Sequence, residues 1–238
     1  PTQGLLSELI QTCHATRIND VAFPVGYSEV FATCGVENIR VWHITEAREL
    51  LRVVVPNVEC LSVAFVPDGA SIISGWADGK IRAFAPQTGK LLYEINDAHP
   101  HGVTTLVGSS DGARVISGGK EGNVRVWRIG AESQTMVASM KEHKGCINSL
   151  ALRANDSECV SASSDGSCIV WDLDRFVRQH ALTANTFFKA CAYHPDESQI
   201  VTGGTDRKVT WWDSFDGSAI RVLDGSDTAE INALDVST

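Results

Sequence analysis

Long apolar runs are missing from this 238-residue chain. No stretch of about 18 apolar residues occurs, so no transmembrane helix or membrane partner is expected. The start at Pro1 carries no charged-then-apolar leader, so no signal peptide is expected either. Positive charge is scarce: 20 Lys and Arg stand against 29 Asp and Glu, a net charge of −9. A surface built to hold phosphates would be basic, which argues against nucleic acid as a partner. The nearest approach to a basic patch, Lys120, Arg125, Arg128, Lys141 and Lys144, reads as solvated surface. Paired cysteine spacing is also absent. The seven cysteines (Cys13, Cys34, Cys60, Cys146, Cys159, Cys168 and Cys191) are odd in number and form no CxxC. Neither a zinc site nor a disulfide framework is expected from them. Free buried thiols in a reducing compartment, the cytosolic side of the cell, fit better. No histidine sits in an HExxH context, so no metal is expected. Helical periodicity is lacking as well. The one candidate, Leu5–Ile10, is apolar at 5, 6, 9 and 10, but its place in the pattern below makes it an outer strand.

What the chain does contain is enough apolar residue to build a core, 43% by count, with 21% charged residues, too few for a disordered chain. It also contains a repeat. Five strand-like runs end on an aromatic: Asn38–Trp42, Lys80–Phe84, Asn123–Trp127, Cys168–Trp171 and Val209–Trp212. The aromatics are separated by 42, 43, 44 and 41 residues. Upstream of each lies a short run into small residues: Phe31–Thr33, Ile72–Ser74, Val115–Ser117, Val160–Ser161 and Ile200–Thr202. Turn residues join the two runs, as at Asp78-Gly79, Glu121-Gly122 and Asp165-Gly166. A second turn precedes them, as at Pro67-Asp68-Gly69, Asp111-Gly112, Asn155-Asp156 and Pro195-Asp196.

A period of 40–45 with this ending resembles the WD repeat, in which each unit supplies four strands of a β-propeller blade. The expected fold is therefore all-β. Five complete blades are placed near 18–54, 60–95, 103–140, 147–182 and 188–223, with partial strands at 5–10 and 230–236. At a mean spacing of 42.5, the chain holds about 5.6 repeats. A seven-bladed ring would take about 298 residues, so part of such a ring is expected, with roughly 60 residues missing on the C-terminal side; six blades are the alternative.

The WD resemblance implies a hydrogen-bonded set of His, Ser or Thr, Asp and Trp in each blade. The fourth repeat carries the full set: His143, Ser161, Asp165 and Trp171. The third has His99, Ser117 and Trp127, with Glu121 where Asp is usual. The first offers His14, Thr33, Trp42 and Glu37. The second keeps Ser74 and Asp78 but has Pro56 for His and Phe84 for Trp, and the fifth keeps Thr202, Asp206 and Trp212 with Ala184 for His. Ser, His and Asp together suggest catalysis, but a triad occurs once per active site and this set recurs with the repeat. Its expected role is structural.

Gly108–Gly112 matches G-x-S-x-G in a strand-to-strand turn, whereas the nucleophile elbow needs a strand-to-helix turn. Ser109 and Ser110 are therefore read as turn residues. Interaction candidates are oversized or charged residues in loops. Trp76 stands where later repeats have Gly119, Ser163 and Gly204; it either fills the space of the missing polar set or anchors a partner. Arg17, His101, Lys144 and Arg207 are candidate rim contacts.

A closer resemblance lies in Arg17–Pro24 with Tyr27–Cys34, in Asp78–Pro86 with its Phe84, and in Gly203–Lys208. These stretches resemble the cilia- and flagella-associated WD-repeat family of doublet microtubules. That resemblance implies two tandem propellers, of which this chain would be part of the C-terminal one. It implies a non-enzymatic microtubule inner protein in the cytoplasm and cytoskeleton, at the axoneme of the cilium or flagellum. Tubulin and neighbouring luminal proteins are the implied partners, and no cofactor is implied. The alternatives are a peptide-binding adaptor of the ubiquitin-ligase or chromatin type, and, third, a propeller hydrolase.

Overall fold

A computed structural model describes residues 14, 16–67 and 69–236. The Leu5–Ile10 segment lies outside the described residues. Every regular element among them is a strand. The first two repeats contribute β1 (Ile18–Ala22), β2 (Val30–His43), β3 (Arg48–Phe65), β4 (Ile72–Trp76), β5 (Ile81–Phe84) and β6 (Leu91–Ile95). The third contributes β7 (Val103–Gly108), β8 (Arg114–Gly119), β9 (Val124–Ile129) and β10 (Gln134–Met140). Then follow β11 (Ile147–Leu152), β12 (Glu158–Ser163), β13 (Ser167–Asp172) and β14 (Val177–Thr183). The last are β15 (Phe188–Tyr193), β16 (Gln199–Gly204), β17 (Lys208–Asp213) and β18 (Ala219–Asp224). The strands form one six-stranded and three four-stranded antiparallel sheets, each ordered as in the sequence. This is a propeller-like arrangement, in which short hairpins supply every connection within a sheet.

The six-stranded sheet departs from the expected break between 54 and 60. β3 runs through it, pairing with β2 up to Glu59 and with β4 from Cys60. Pairing of Val36 with Glu59, and the Asn57 N–H donated to the Glu37 carboxylate at 2.8 Å, keep the ladder unbroken. β2 in turn folds back on itself. Trp42 Nε1 donates to Thr33 Oγ1 at 2.7 Å, whereas nine residues of straight strand would separate them by about 30 Å. The bend falls at Glu37, which has φ of 62°.

The core lies between neighbouring sheets. Ile73, Ile81 and Ala83 of one sheet meet Leu106, Val115 and Trp127 of the next. Val160, Ala162 and Val170 likewise meet Phe188, Ile200 and Trp212. Close approach at this seam depends on glycine. A Cβ on Gly75 would lie 2.6 Å from Val103 Cγ1, and one on Gly118 would lie 2.6 Å from Ile147 Cγ2.

The first strands of the sheets gather around a polar cavity of about 300 Å³. Their second residues link neighbours. Asn19 Nδ2 donates to the Cys60 carbonyl (2.7 Å), Thr104 Oγ1 to that of Ile147 (2.5 Å) and Asn148 Nδ2 to that of Phe188 (2.6 Å).

The expected strand at 230–236 does not form. Ile231 nonetheless takes the seat of a first-strand residue. Its N–H donates to the Gly204 carbonyl at 3.0 Å, and its side chain covers Gly203 as Ile147 covers Gly118.

Replacing Gly118 by Ala should lower stability by about 1–3 kcal/mol, because the methyl group overpacks the seam. Gly108→Ala, whose added carbon meets ordinary contacts at 3.5 Å or more, should leave the thermal midpoint near that of the parent. Melting of both variants in the full-length protein checks this.

Candidate functional site

The turns between second and third strands meet the connectors between sheets on one face, and the polar sets lie there. In the fourth repeat, Trp171 Nε1 donates to Ser161 Oγ at 2.8 Å. His143 Nε2 stands 2.7 Å from the same hydroxyl, and Nδ1 stands 2.9 Å from Asp165 Oδ2. A neutral imidazole with its proton on Nδ1 satisfies the chain: indole to hydroxyl, hydroxyl to Nε2, Nδ1–H to carboxylate. The third repeat repeats it, with Trp127 to Ser117 at 2.9 Å, His99 Nε2 to Ser117 at 2.8 Å and His99 Nδ1 to Glu121 at 2.5 Å. The longer glutamate leaves its Oε2 buried without a partner. In the first repeat, His14 and Trp42 both reach Thr33 at 2.7 Å, but Glu37 is engaged at Asn57 instead.

Burial pushes the His14, His99 and His143 pKa values below the ordinary 6.5. Burial alone would raise Asp165, yet Ser167, the Lys144 N–H and His143 together hold it at about 2. The serine hydroxyls at 117 and 161 are fully buried and engaged on two sides. That arrangement stabilises a blade and offers no exposed nucleophile. Ser109 is likewise buried against Asp111, and Ser110 donates to Asp156. Among the described residues, no group of three or more His, Cys, Asp or Glu could hold a metal ion.

The second repeat solves its missing His and Trp in one step. Trp76 is fully buried, and its Nε1 donates to Ser74 Oγ at 2.8 Å. It fills the space that His99 takes in the third repeat, where a Cβ on Gly119 would lie 2.2 Å from the imidazole. The Arg82 guanidinium lies over its ring at 5.3 Å and pairs with Asp78 at 2.7 Å. Of the two roles weighed for Trp76, the geometry is that of the space-filling one: it presents no face to a partner. In the fifth repeat, Trp212 donates to Thr202 at 2.8 Å, and Thr186 takes over as the partner of Asp206 at 3.1 Å.

The other interaction candidates lie on this same face. Arg17 pairs with Glu59 at 2.6 Å. His101 is exposed in the turn before β7, and Lys144 is exposed beside His143. Arg207 is exposed, has φ of 65° and donates from Nη1 to the Asp227 carbonyl at 2.5 Å. Sequence reasoning did not find the Asn19, Thr104 and Asn148 links, although these residues recur near the repeat spacing. It also passed over Phe187, an exposed aromatic in a connector.

The family model for the WD domain, G-beta repeat, matches residues 89–128, 134–172 and 176–213. Each match ends one residue past Trp127, Trp171 or Trp212. This is a WD-repeat chain. The part of the chain before residue 89, which carries Glu37, Pro56 and Phe84, lies outside the matches. The chain is 61% identical to cilia- and flagella-associated protein 52 of Chlamydomonas reinhardtii over 235 residues, covering 99% of the chain and 38% of that protein. It is 52% identical to the Homo sapiens protein of the same name over 229 residues, covering 96% and 37%. WD repeat-containing protein 90 of Mus musculus is 31% identical over 134 residues, 52% of the chain and 7% of that protein. The chain thus spans well under half the length of the cilia- and flagella-associated relatives it matches.

Replacing His143 by Ala strands the Ser161 hydroxyl and Asp165, and should cost about 1–3 kcal/mol in chemical denaturation. Acid acts on the same groups. An unfolded chain takes up histidine protons near pH 6.5, where the buried imidazoles refuse them. Stability should therefore fall as pH drops below about 6.5, and fall further between about 4 and 2 as Asp165 protonates. A thermal midpoint constant from pH 8 to pH 4 would contradict this linkage.

Proposed function

We propose that this chain is part of a WD propeller that serves as a non-enzymatic scaffold at the axoneme of cilia and flagella. In this reading its units are blades of a seven-bladed ring, completed by further residues of a longer polypeptide. Its partners are tubulin and neighbouring luminal proteins. The observation that carries the reading is the 61% and 52% identity, over nearly the whole chain, to proteins named for cilia and flagella.

The geometry supports a scaffold in two ways. Its Ser, His and acid sets repeat from sheet to sheet, and their hydroxyls are sealed by indole N–H groups. Successive repeats are also tied to one another through side chain-to-backbone bonds around the cavity, so loops on one face are held at fixed spacing. Several weak contacts presented rigidly to a regular lattice reinforce one another, because each binding event raises the effective concentration of the next.

The test is fractionation of the full-length protein from ciliated cells. It should stay with doublet microtubules after membrane and matrix are removed, and co-sediment with purified doublets. A protein recovered wholly in the soluble fraction, with no doublet association, would remove this reading.

A further inference from the structure

One cavity on the turn-and-connector face has no counterpart in the polar sets. It measures about 280 Å³ and lies between the Asp165-Gly166 turn and the connector Ala184–Phe187. Its origin is the missing histidine. Connectors that carry His press onto the preceding turn: a Cβ on Gly79 would lie 2.1 Å from the His99 carbonyl, and one on Gly122 would lie 2.5 Å from that of His143. The connector with Ala184 lies farther from its turn: the Ala184 N–H still donates to the Gly166 carbonyl, at 3.4 Å against 3.0 Å for His99 on Gly79, but leaves room above Gly166. At Gly166 the nearest atoms to that point are the Ala184 and Thr186 carbonyl oxygens, both at 3.5 Å. Among the described residues, no loop N–H reaches either oxygen.

Two acceptors without a protein donor therefore lie at the same distance from one point beside Gly166. Asp165 is the one charged residue in the lining, and its own oxygens are taken up by Ser167, His143 and Lys144. Its charge acts through space. Phe187 closes the other side. Two bonds with Thr205 fix its backbone, N–H to Oγ1 at 3.0 Å and carbonyl to N–H at 3.2 Å, while its side chain stays largely in solvent, 58% exposed.

We infer that this pocket receives an arginine side chain from a basic segment of a partner protein. The guanidinium donates to the Ala184 and Thr186 carbonyls beside the Asp165 carboxylate, and the Phe187 ring covers its face and stem. Planar guanidinium with several donors suits paired acceptors and an aromatic wall better than a compact ammonium does. The charge of the chain, −9, favours a basic partner. The inference does not depend on the axonemal reading; it holds for any partner with a protruding arginine.

The test is saturation-transfer NMR on the full-length protein, titrated with Nα-acetyl-arginine amide and with Nα-acetyl-citrulline amide, which is uncharged but nearly isosteric. The arginine probe should bind, with citrulline about tenfold weaker or worse. Phe187→Ala removes an exposed ring and should weaken arginine binding about tenfold without changing the melting temperature. Asn185→Lys, which places a fixed cation in the lining, should abolish it. Equal binding of both probes, no binding of arginine, or binding unchanged in both variants would each overturn the proposal. Loss of doublet association with the arginine site intact would count against the axonemal reading alone.

Discussion

One hydrogen bond recurs in each of the five described repeats: an indole N–H, buried in all but the first, donated to the hydroxyl of the second strand. It joins Trp42 to Thr33, Trp76 to Ser74, Trp127 to Ser117, Trp171 to Ser161 and Trp212 to Thr202, all between 2.7 and 2.9 Å. A buried indole needs a partner for its one donor, and a buried hydroxyl left open costs more than the bond itself contributes. In four of the repeats the bond fixes the arm that carries the tryptophan against the arm before it; in the second it lies within β4, where Trp76 and Ser74 both stand. Histidine and acid are additions to this pair. The second and fifth repeats lack the histidine and keep the bond.

The repeat varies around that constant, and its variations shape the surface. Where histidine is present, the connector lies on the turn of the preceding sheet so closely that only glycine fits, as at Gly79 and Gly122. Both glycines adopt positive φ, near 80°, where side chains are strained. Where histidine is absent, the constraint relaxes. Arg207 occupies the same turn position in the fifth repeat at φ of 65°. Its backbone oxygen accepts from Gly225 and Ser226, while its guanidinium reaches Asp227. The residue thus accepts backbone strain and holds the following connector. The opening beside Gly166 comes from the same relaxation.

Much of this was legible in the chain. Spacings of 41–44 residues between aromatics, β-branched runs and Asp-Gly or Glu-Gly turns predict the strands of the last three sheets closely. Such signals are local: alternation sets which side faces the core, and turn residues set where the hairpin closes. The polar set of the fourth repeat was legible for a similar reason, because its four members sit at fixed register positions. The merging of the first two units was not, since it depends on one ladder pair, Val36 with Glu59, across a short turn.

By itself, the sequence determined the class of fold, the period and the donors and acceptors available in each repeat. Tertiary structure alone decided which donor met which acceptor. Trp76 could have faced a partner or the interior; the empty histidine space beside Ser74 drew it inward. Asn148 and Phe188 are 40 residues apart and bond only because neighbouring sheets pack at a set angle. The free carbonyls over Gly166 are invisible in any pattern of side chains. They are backbone atoms, and their place follows from how far a connector stands from the turn beneath it.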